Sequence, residues 1–553
     1  LQGTSLSPEK ALKSGIVHKV VPADQLIFEA KRWIKEEGDA EQPWDKKGFK
    51  IPGGGPYDDT NTFVIGNALL RKESYGNYPA QINIMKAVYE GVQVPIDAGL
   101  RIEARYFVDL LNRPESRNMI RTLFLSSQAL SKGARRPQDV GKTECKKLGV
   151  LGAGLMGAGI AYVSAMAGIE VVLLDMSREN AEKGKDYSEK LLAKRVERGR
   201  MDEGKKADVL GLIQPTDSYD DLKGCDLIIE AVFEDRGIKA DVTKKAQAAA
   251  GADVVFGSNT STLPITSLAE ASERPEHFIG IHFFSPVERM PLVEIIRGEK
   301  TGPQALATAI DYVGKIRKTP IVVNDSRGFY TSRCFGTYVN EGLTMIAEGV
   351  NPALVENAGR MAGMPMGPME VADSVGLDTA HKIRKQTRED LGDASAGGPA
   401  GDLTEWIVEK HDRVGRKAGK GFYEYGEDGK PSRIWPAVYN YAGKPHAEPD
   451  VEEVKKRLLY IQALETARCF EEGVLEDVRD GDVGSIFGWG FAPYTGGTLS
   501  LIDTVGAKRF VEECERMAAE YGERFKPNAL LKEMAQKGET FYGRFNPQAK
   551  AAA

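Results

Sequence analysis

Residues 147–175 read KLGVLGAGLMGAGIAYVSAMAGIEVVLLD. A β-rich run, KLGVL (147–151), leads into Gly152-Ala153-Gly154-Leu155-Met156-Gly157, a GxGxxG pattern. A second β-rich run, EVVLL (170–174), ends at Asp175. The 21 residues 149–169 carry no charge, enough to span a bilayer. Their glycines, and the absence of a dominant basic flank, fit a strand, a tight turn and a buried helix instead. A lone GxGxxG is a weak signal, but this one follows a strand and opens a helix. Gly152 then allows the turn, Gly154 lets a pyrophosphate approach the backbone, and Gly157 lets helix and strand pack closely. The helix that starts at Leu155 and Met156 offers unpaired N–H groups to phosphates. Asp175 stands 23 residues after Gly152, where an acid binds ribose hydroxyls. A carboxylate there repels a 2′-phosphate, so NAD is expected rather than NADP.

Further β-rich runs follow: CDLIIEAV (225–232), ADVVFGS (252–258), HFIGIHFF (277–284) and TPIVVN (319–324). Helical patterns separate most of them, which implies a largely parallel sheet with helices on both faces. From about Gly328 the pattern turns helical. A shift of 124 residues brings Arg333 onto Arg457, Glu341 onto Glu465, and Glu348-Gly349-Val350 onto Glu472-Gly473-Val474. With six more residues inserted, Gly367 meets Gly497, Asp373 meets Asp503, and Val375-Gly376 meets Val505-Gly506. Nine matches in order indicate a duplicated helical unit.

Upstream, Ser7-Pro8-Glu9 reads as a helix start and Gly15 as its stop. Residues 51–63 (IPGGGPYDDTNTF) read as a loop, 64–131 as helical, and 132–147 (KGARRPQDVGKTECKK) as a polar linker.

Composition removes several classes. The 553 residues hold 74 basic and 80 acidic side chains, a net charge of −6. That near balance gives no pull toward nucleic acid or an anionic membrane. The cysteines (Cys145, Cys225, Cys334, Cys469, Cys514) form no CxxC pair, which favours a reducing compartment and leaves no metal set. The chain opens on Leu1 rather than methionine and is expected to be part of something longer.

Oxidation by a nicotinamide cofactor moves a hydride and a proton, and histidine suits the proton. In HFIGIHFFSP, His277 begins a strand and His282 lies near its end. Ligands of open α/β sheets sit beyond the carboxyl ends of strands, which favours His282. Glu294 follows twelve residues later, a lone charge in PLVEIIRG. Position alone leaves two readings open. His282 and Glu294 form an acid–base pair, or they are a packed histidine and a solvated glutamate.

Several motifs occur together in order: GAGLMGAGIA with Asp175, EAVFE-x4-K (230–239), SNTS (258–261), HFFSP with Glu294, and GFY-x2-R (328–333). In these the chain resembles the L-3-hydroxyacyl-CoA dehydrogenase family over about residues 147–425. Residues 7–26 (SPEKALKSGIVHKVVPADQL) resemble the tail of an enoyl-CoA hydratase. The whole is similar to the multifunctional enzymes of fatty-acid β-oxidation, such as the alpha subunits of bacterial fatty-acid oxidation complexes.

The resemblance implies a Rossmann-like NAD-binding domain over 147–326 and two mostly helical domains over 327–430 and 431–553. A crotonase-like remnant with linker would occupy 1–146. It implies oxidation of a 3-hydroxyacyl-CoA with NAD, with His282 as base, Glu294 as its orienting partner, and Ser261 on the substrate oxygen. Glu234 and Lys239 would lie along the cofactor. Ser188 and Arg195 fall where the family contacts CoA, although a solvated basic helix face explains that spacing equally well. Ser332 and Ser285 stand where many members carry asparagine, and Ser332 would take over the contact to the substrate carbonyl. The hydratase's catalytic glutamates lie upstream of Leu1, so hydration of enoyl-CoA is not expected of this chain alone. Expected partners are the acyl-CoA substrate and either a 3-ketoacyl-CoA thiolase subunit or a second copy. Neither nucleic acid nor an integral membrane span is expected, and the expected location is a bacterial-like cytoplasm. The competing readings are a dehydrogenase of small free β-hydroxy acids, which would use a lysine, and a non-catalytic binding protein on the same fold.

Overall fold

The computed structural model describes residues 3–58, 60–392 and 398–546. Two compact units divide the chain, residues 1–116 and 117–553.

The first unit is helical. Pro8–Lys13 starts on Ser7, whose hydroxyl accepts the Lys10 N–H at 3.4 Å, and Gly15 ends it at φ +70°. Helices Pro79–Gly91 and Ile96–Leu111 pack antiparallel, with Asn83 bonded to Asp109 and Gly91 against Gly99. Among its described residues Pro56 is the one apolar side chain that is buried, and Phe28, Ile34, Phe107 and Leu111 are mostly exposed.

The second unit is built on an eight-stranded sheet. Its strands are β1 (Lys147–Leu151), β2 (Glu170–Leu174), β3 (Ile213–Thr216), β4 (Leu227–Glu230), β5 (Val255–Ser258), β6 (Phe278–Phe283), β7 (Leu292–Arg297) and β8 (Thr319–Asn324). They lie in the order β3-β2-β1-β4-β5-β6-β7-β8. All neighbours pair in parallel except β6 and β7. Six of these strands match the β-rich runs of the sequence. The other two are β3, a short polar IQPT, and β7, and the antiparallel β6–β7 pair makes the sheet mixed rather than purely parallel. Two cores flank it, which is why most strand residues are apolar without alternation. Among the described residues no helix is long and apolar enough to cross a membrane. The uncharged run 149–169 is β1, a turn and helix α1 (Leu155–Met166).

The stretch 132–147, which reads as a polar linker, is fastened to this unit. Arg136 forks onto both oxygens of Asp311 at 2.9 Å, and Thr143 donates to the same carboxylate. Arg135 reaches Glu476 at 3.0 Å.

The duplicated helices form an interface with local two-fold character. Helix α2 (Thr331–Ala347) packs on helix α3 (Val451–Glu471). Arg333 of α2 pairs with Glu465 and Glu472 at 2.5 Å each. Arg457 of α3 pairs with Glu341 and Glu348 at 2.6 and 3.0 Å. Each arginine thus meets the glutamates that match its own copy's partners, the reciprocity of an isologous contact. Asp373 accepts the N–H groups of Phe422 and Tyr423, and Asp503 accepts those of Phe541 and Tyr542.

Candidate active site

The glycine turn has the geometry its sequence implies. Gly152 sits at φ +95°, and a Cβ there would lie 2.7 Å from the Ala231 carbonyl. At Gly157 a Cβ would fall 1.7 Å from the Gly152 carbonyl, so helix and turn touch backbone to backbone. At Gly154 a Cβ would meet nothing within 4 Å. That side of the turn is open, and no side chain caps the helix at Leu155 and Met156. A pyrophosphate has the space and the donors it needs there. Asp175 closes the loop, accepting the Ala153 N–H at 2.7 Å.

β1, β4, β5 and β6 run parallel, so their carboxyl ends share one edge of the sheet. Beyond β4, Glu234 is held by four donors on one oxygen: the Thr260 hydroxyl at 2.6 Å, the Ser261 N–H at 3.1 Å, and the N–H and hydroxyl of Thr262 at 3.2 Å. Burial raises its proton affinity, but the Lys239 ammonium and these donors outweigh that and hold the carboxyl below its usual range. Lys239 itself turns inward. Its Nζ lies 2.9 and 3.0 Å from the two Glu230 oxygens, both residues being buried, and 3.4 Å from Glu234. The lysine therefore braces the strand end, and Glu234 is the member of EAVFE-x4-K left part-exposed.

His282, one residue before the end of β6, lies directly opposite Glu294 of β7 in the cross-strand register. Opposed residues of an antiparallel pair project from the same face with adjacent Cβ atoms. Nδ1 of His282 lies 2.9 Å from Oε2 of Glu294, and both residues are buried. A carboxylate can only accept, so Nδ1 carries the hydrogen and Nε2 presents its lone pair. The rings of Phe284 and Phe329 flank the imidazole at 4.6 and 6.1 Å. Phe329 has φ +52°, which is unusual for an aromatic residue and places it at a sharp entry to α2.

Glu294 is fully engaged. Oε1 takes the N–H groups of Tyr330 and Thr331 at 3.0 Å, and Oε2 takes the Thr331 hydroxyl at 2.6 Å beside His282. The carboxylate therefore sits on the N-terminus of α2, where the helix dipole favours negative charge. Ser332 follows on the same turn, part-buried, as is Ser261 beyond β5.

Two expected substrate contacts fare differently. Ser188 is fully buried and its hydroxyl has no partner. Helical phase explains this: Ala181, Gly184, Ser188 and Leu192 form the inner stripe of Arg178–Glu197. Arg195 is part-buried, with its guanidinium near Tyr162. The sequence reading missed Thr331, Tyr330, Phe329, Thr260 and Asn259, whose side-chain carbonyl accepts the Phe283 N–H at 2.8 Å. All five lie inside motifs already singled out, SNTS and GFY-x2-R.

Residues 147–326 match the NAD binding domain of 3-hydroxyacyl-CoA dehydrogenase, and residues 328–425 match that enzyme's C-terminal domain. The chain belongs to the 3-hydroxyacyl-CoA dehydrogenase family. It is an NAD-dependent oxidoreductase. A fatty acid oxidation complex subunit alpha from Shewanella loihica is 38% identical over 545 residues, 98% of this chain and 76% of that protein. One from Pseudomonas aeruginosa is 37% identical over 552 residues, with the same coverage. In fold, the chain is similar to Escherichia coli 3-hydroxybutyryl-CoA dehydrogenase, with a TM-score of 0.62 and 23% identity over 72% of this chain and 99% of that one. The dehydrogenase part of multifunctional enzyme 1 from C. elegans matches with a TM-score of 0.53 and 24% identity over 75% and 98%.

Proposed function

We propose that this 3-hydroxyacyl-CoA dehydrogenase family member oxidises 3-hydroxyacyl-CoA thioesters of fatty-acid β-oxidation, with His282 and Glu294 as the acid–base dyad. The buried 2.9 Å contact between them carries the reading. Bound NAD supplies the hydride acceptor. Nε2 of His282 takes the proton of the substrate 3-hydroxyl, and Glu294 stabilises the resulting imidazolium. In the reverse direction Nε2 returns the proton to the 3-keto oxygen. Ser261, beyond the neighbouring strand, donates to that oxygen, and Ser332 on the first turn of α2 reaches it from the other side. Gly154 and the N–H groups of Leu155 and Met156 hold the pyrophosphate. Asp175 holds the adenosine ribose, and Glu234 lies along the cofactor, braced by Lys239. Arg195, on the helix Arg178–Glu197, contacts CoA. The relatives named as fatty acid oxidation complex subunits support assembly into a complex, and we propose a 3-ketoacyl-CoA thiolase subunit as the partner, in the cytoplasm.

Oxidation of NADH by acetoacetyl-CoA, compared with free acetoacetate, tests the substrate class. The thioester should be preferred by orders of magnitude in kcat/KM. Equal use of the free acid would point to a dehydrogenase of small acids.

A further inference from the structure

Glu294 shares one oxygen between two side chains. Oε2 lies 2.9 Å from Nδ1 of His282 and 2.6 Å from Oγ1 of Thr331. We infer that Thr331 is a positioning residue of the reaction: its hydroxyl fixes Glu294 and draws charge from the oxygen that faces His282, which sets the proton affinity of the dyad. The inference rests on the role proposed for His282 and Glu294.

The placement of Thr331 is specific. A helical threonine commonly turns its hydroxyl back to a carbonyl of its own helix. At the start of α2 it could instead cap the helix. It does neither, and Tyr330, which precedes the helix, makes no side-chain cap. The hydroxyl goes to Glu294, while the Thr331 N–H bonds the other oxygen. One residue thus holds both ends of the carboxylate. Its methyl is fixed from behind, because a Cβ at Gly488 would lie 3.3 Å from Cγ2 of Thr331. Thr331 is almost completely buried, so water cannot replace the hydroxyl without rearrangement.

Charge arithmetic gives the direction. A carboxylate oxygen that already accepts a short O–H bond carries less charge for a second donor. His282 therefore gains less from protonation than it would beside an unshared oxygen. Removing the hydroxyl strengthens the Glu294–imidazolium attraction, and the dyad holds its proton to higher pH. Other ionisable groups on the surrounding elements have their own partners. Arg333 meets Glu465 and Glu472, the Tyr330 phenol donates to Gly481, and Asp482 takes Ser500. Asp480 lies against Arg135, Arg297 against Glu476, Lys318 on the carbonyls of Val287 and Met290, and Glu288 on Tyr187. None of these hydrogen-bonds His282 or Glu294.

Thr331→Val keeps the volume and the N–H but lacks the hydroxyl, and Thr331→Ser keeps the hydroxyl. The full chain is assayed in both directions, with 3-hydroxybutyryl-CoA and NAD, and with acetoacetyl-CoA and NADH. In Thr331→Val the acid limb of oxidation and the alkaline limb of reduction should both move to higher pH, by about half to one unit. NAD affinity should not change, and Thr331→Ser should restore the wild-type profile. A Thr331→Val enzyme with the wild-type profile, whatever its rate, would overturn the inference. If His282→Gln retains wild-type turnover, the dyad assignment itself has failed, and that result is distinguishable from a failure confined to Thr331.

Discussion

His282 and Glu294 face each other across the β6–β7 pair, Nδ1 to Oε2 at 2.9 Å. The same carboxylate receives both N–H groups at the start of α2. Glu294 therefore joins the sheet that carries the cofactor turn to the helical part of the unit. The proton-transfer pair sits at that joint. Its geometry depends on how α2 is held, and α2 is held by the second helical copy through Arg333.

The turn separates binding from folding. A Cβ at Gly154 meets no protein atom within 4 Å, so Gly154→Val should leave the melting temperature near that of the wild type. It should weaken NAD by at least about tenfold, roughly 1.4 kcal/mol, because the added methyls fill the pyrophosphate position. Gly157→Ala has the opposite signature. Its Cβ overlaps the Gly152 carbonyl, and the overpacking should cost about 1–3 kcal/mol of stability. Calorimetric NAD titration and thermal melts on both variants check this.

The two arginines of the duplicated interface should differ in function though not in kind. Arg333→Met should lower unfolding free energy by about 1–3 kcal/mol, discounted for its partial exposure. It should also cut kcat about ten- to a hundredfold, because it frees the turn that holds Glu294. Arg457→Met should destabilise at least as much, since Arg457 and Glu341 are nearly fully buried. Its kcat, measured on the folded fraction, should stay near wild type, because α3 supplies no donor to Glu294.

Asp480 gives a pH dependence of stability. Burial pushes its carboxyl up to about 8, against the pull of Arg135, whose Nε lies 2.9 Å from Oδ2. The unfolded value is about 3.9. A folded value raised above the unfolded one means that the neutral form is favoured by folding. The contribution is present below about pH 4 and is lost as pH rises toward 8. Asp480→Asn, which stays neutral, should flatten the decline in stability between about pH 5 and 8 in chemical denaturation. An unchanged slope would show that Asp480 does not titrate in this range.

Much of this was legible in the sequence where one residue type has one physical use. The three glycines and the duplicated helical unit were readable because turn geometry and an ordered repeat admit few alternatives, whereas the pairing of each copy's arginine with the other copy's glutamates came only with the fold. β3 was missed because IQPT is short and polar and lies at the sheet edge. β7 was seen as an apolar run but not as a strand, since no two-residue turn marks the eight-residue 284–291 connection. Ser188 lies on the inner stripe of its helix, a placement that spacing along the chain does not reveal. Thr331 escaped notice as an unspecified position in GFY-x2-R. Spacing records which residues recur in a motif but not which atoms they bond. Lys239 had two glutamates within reach, and only the fold shows that Glu230 takes both its close contacts.

The central claim is that His282 moves the proton. Replacing it with glutamine keeps a donor toward Glu294 and removes the titrating group. Steady-state oxidation of 3-hydroxybutyryl-CoA by His282→Gln should be slower by about 10²–10⁴ in kcat, with NAD affinity unchanged. Turnover near that of the wild type, in a folded variant that binds NAD normally, would contradict the account.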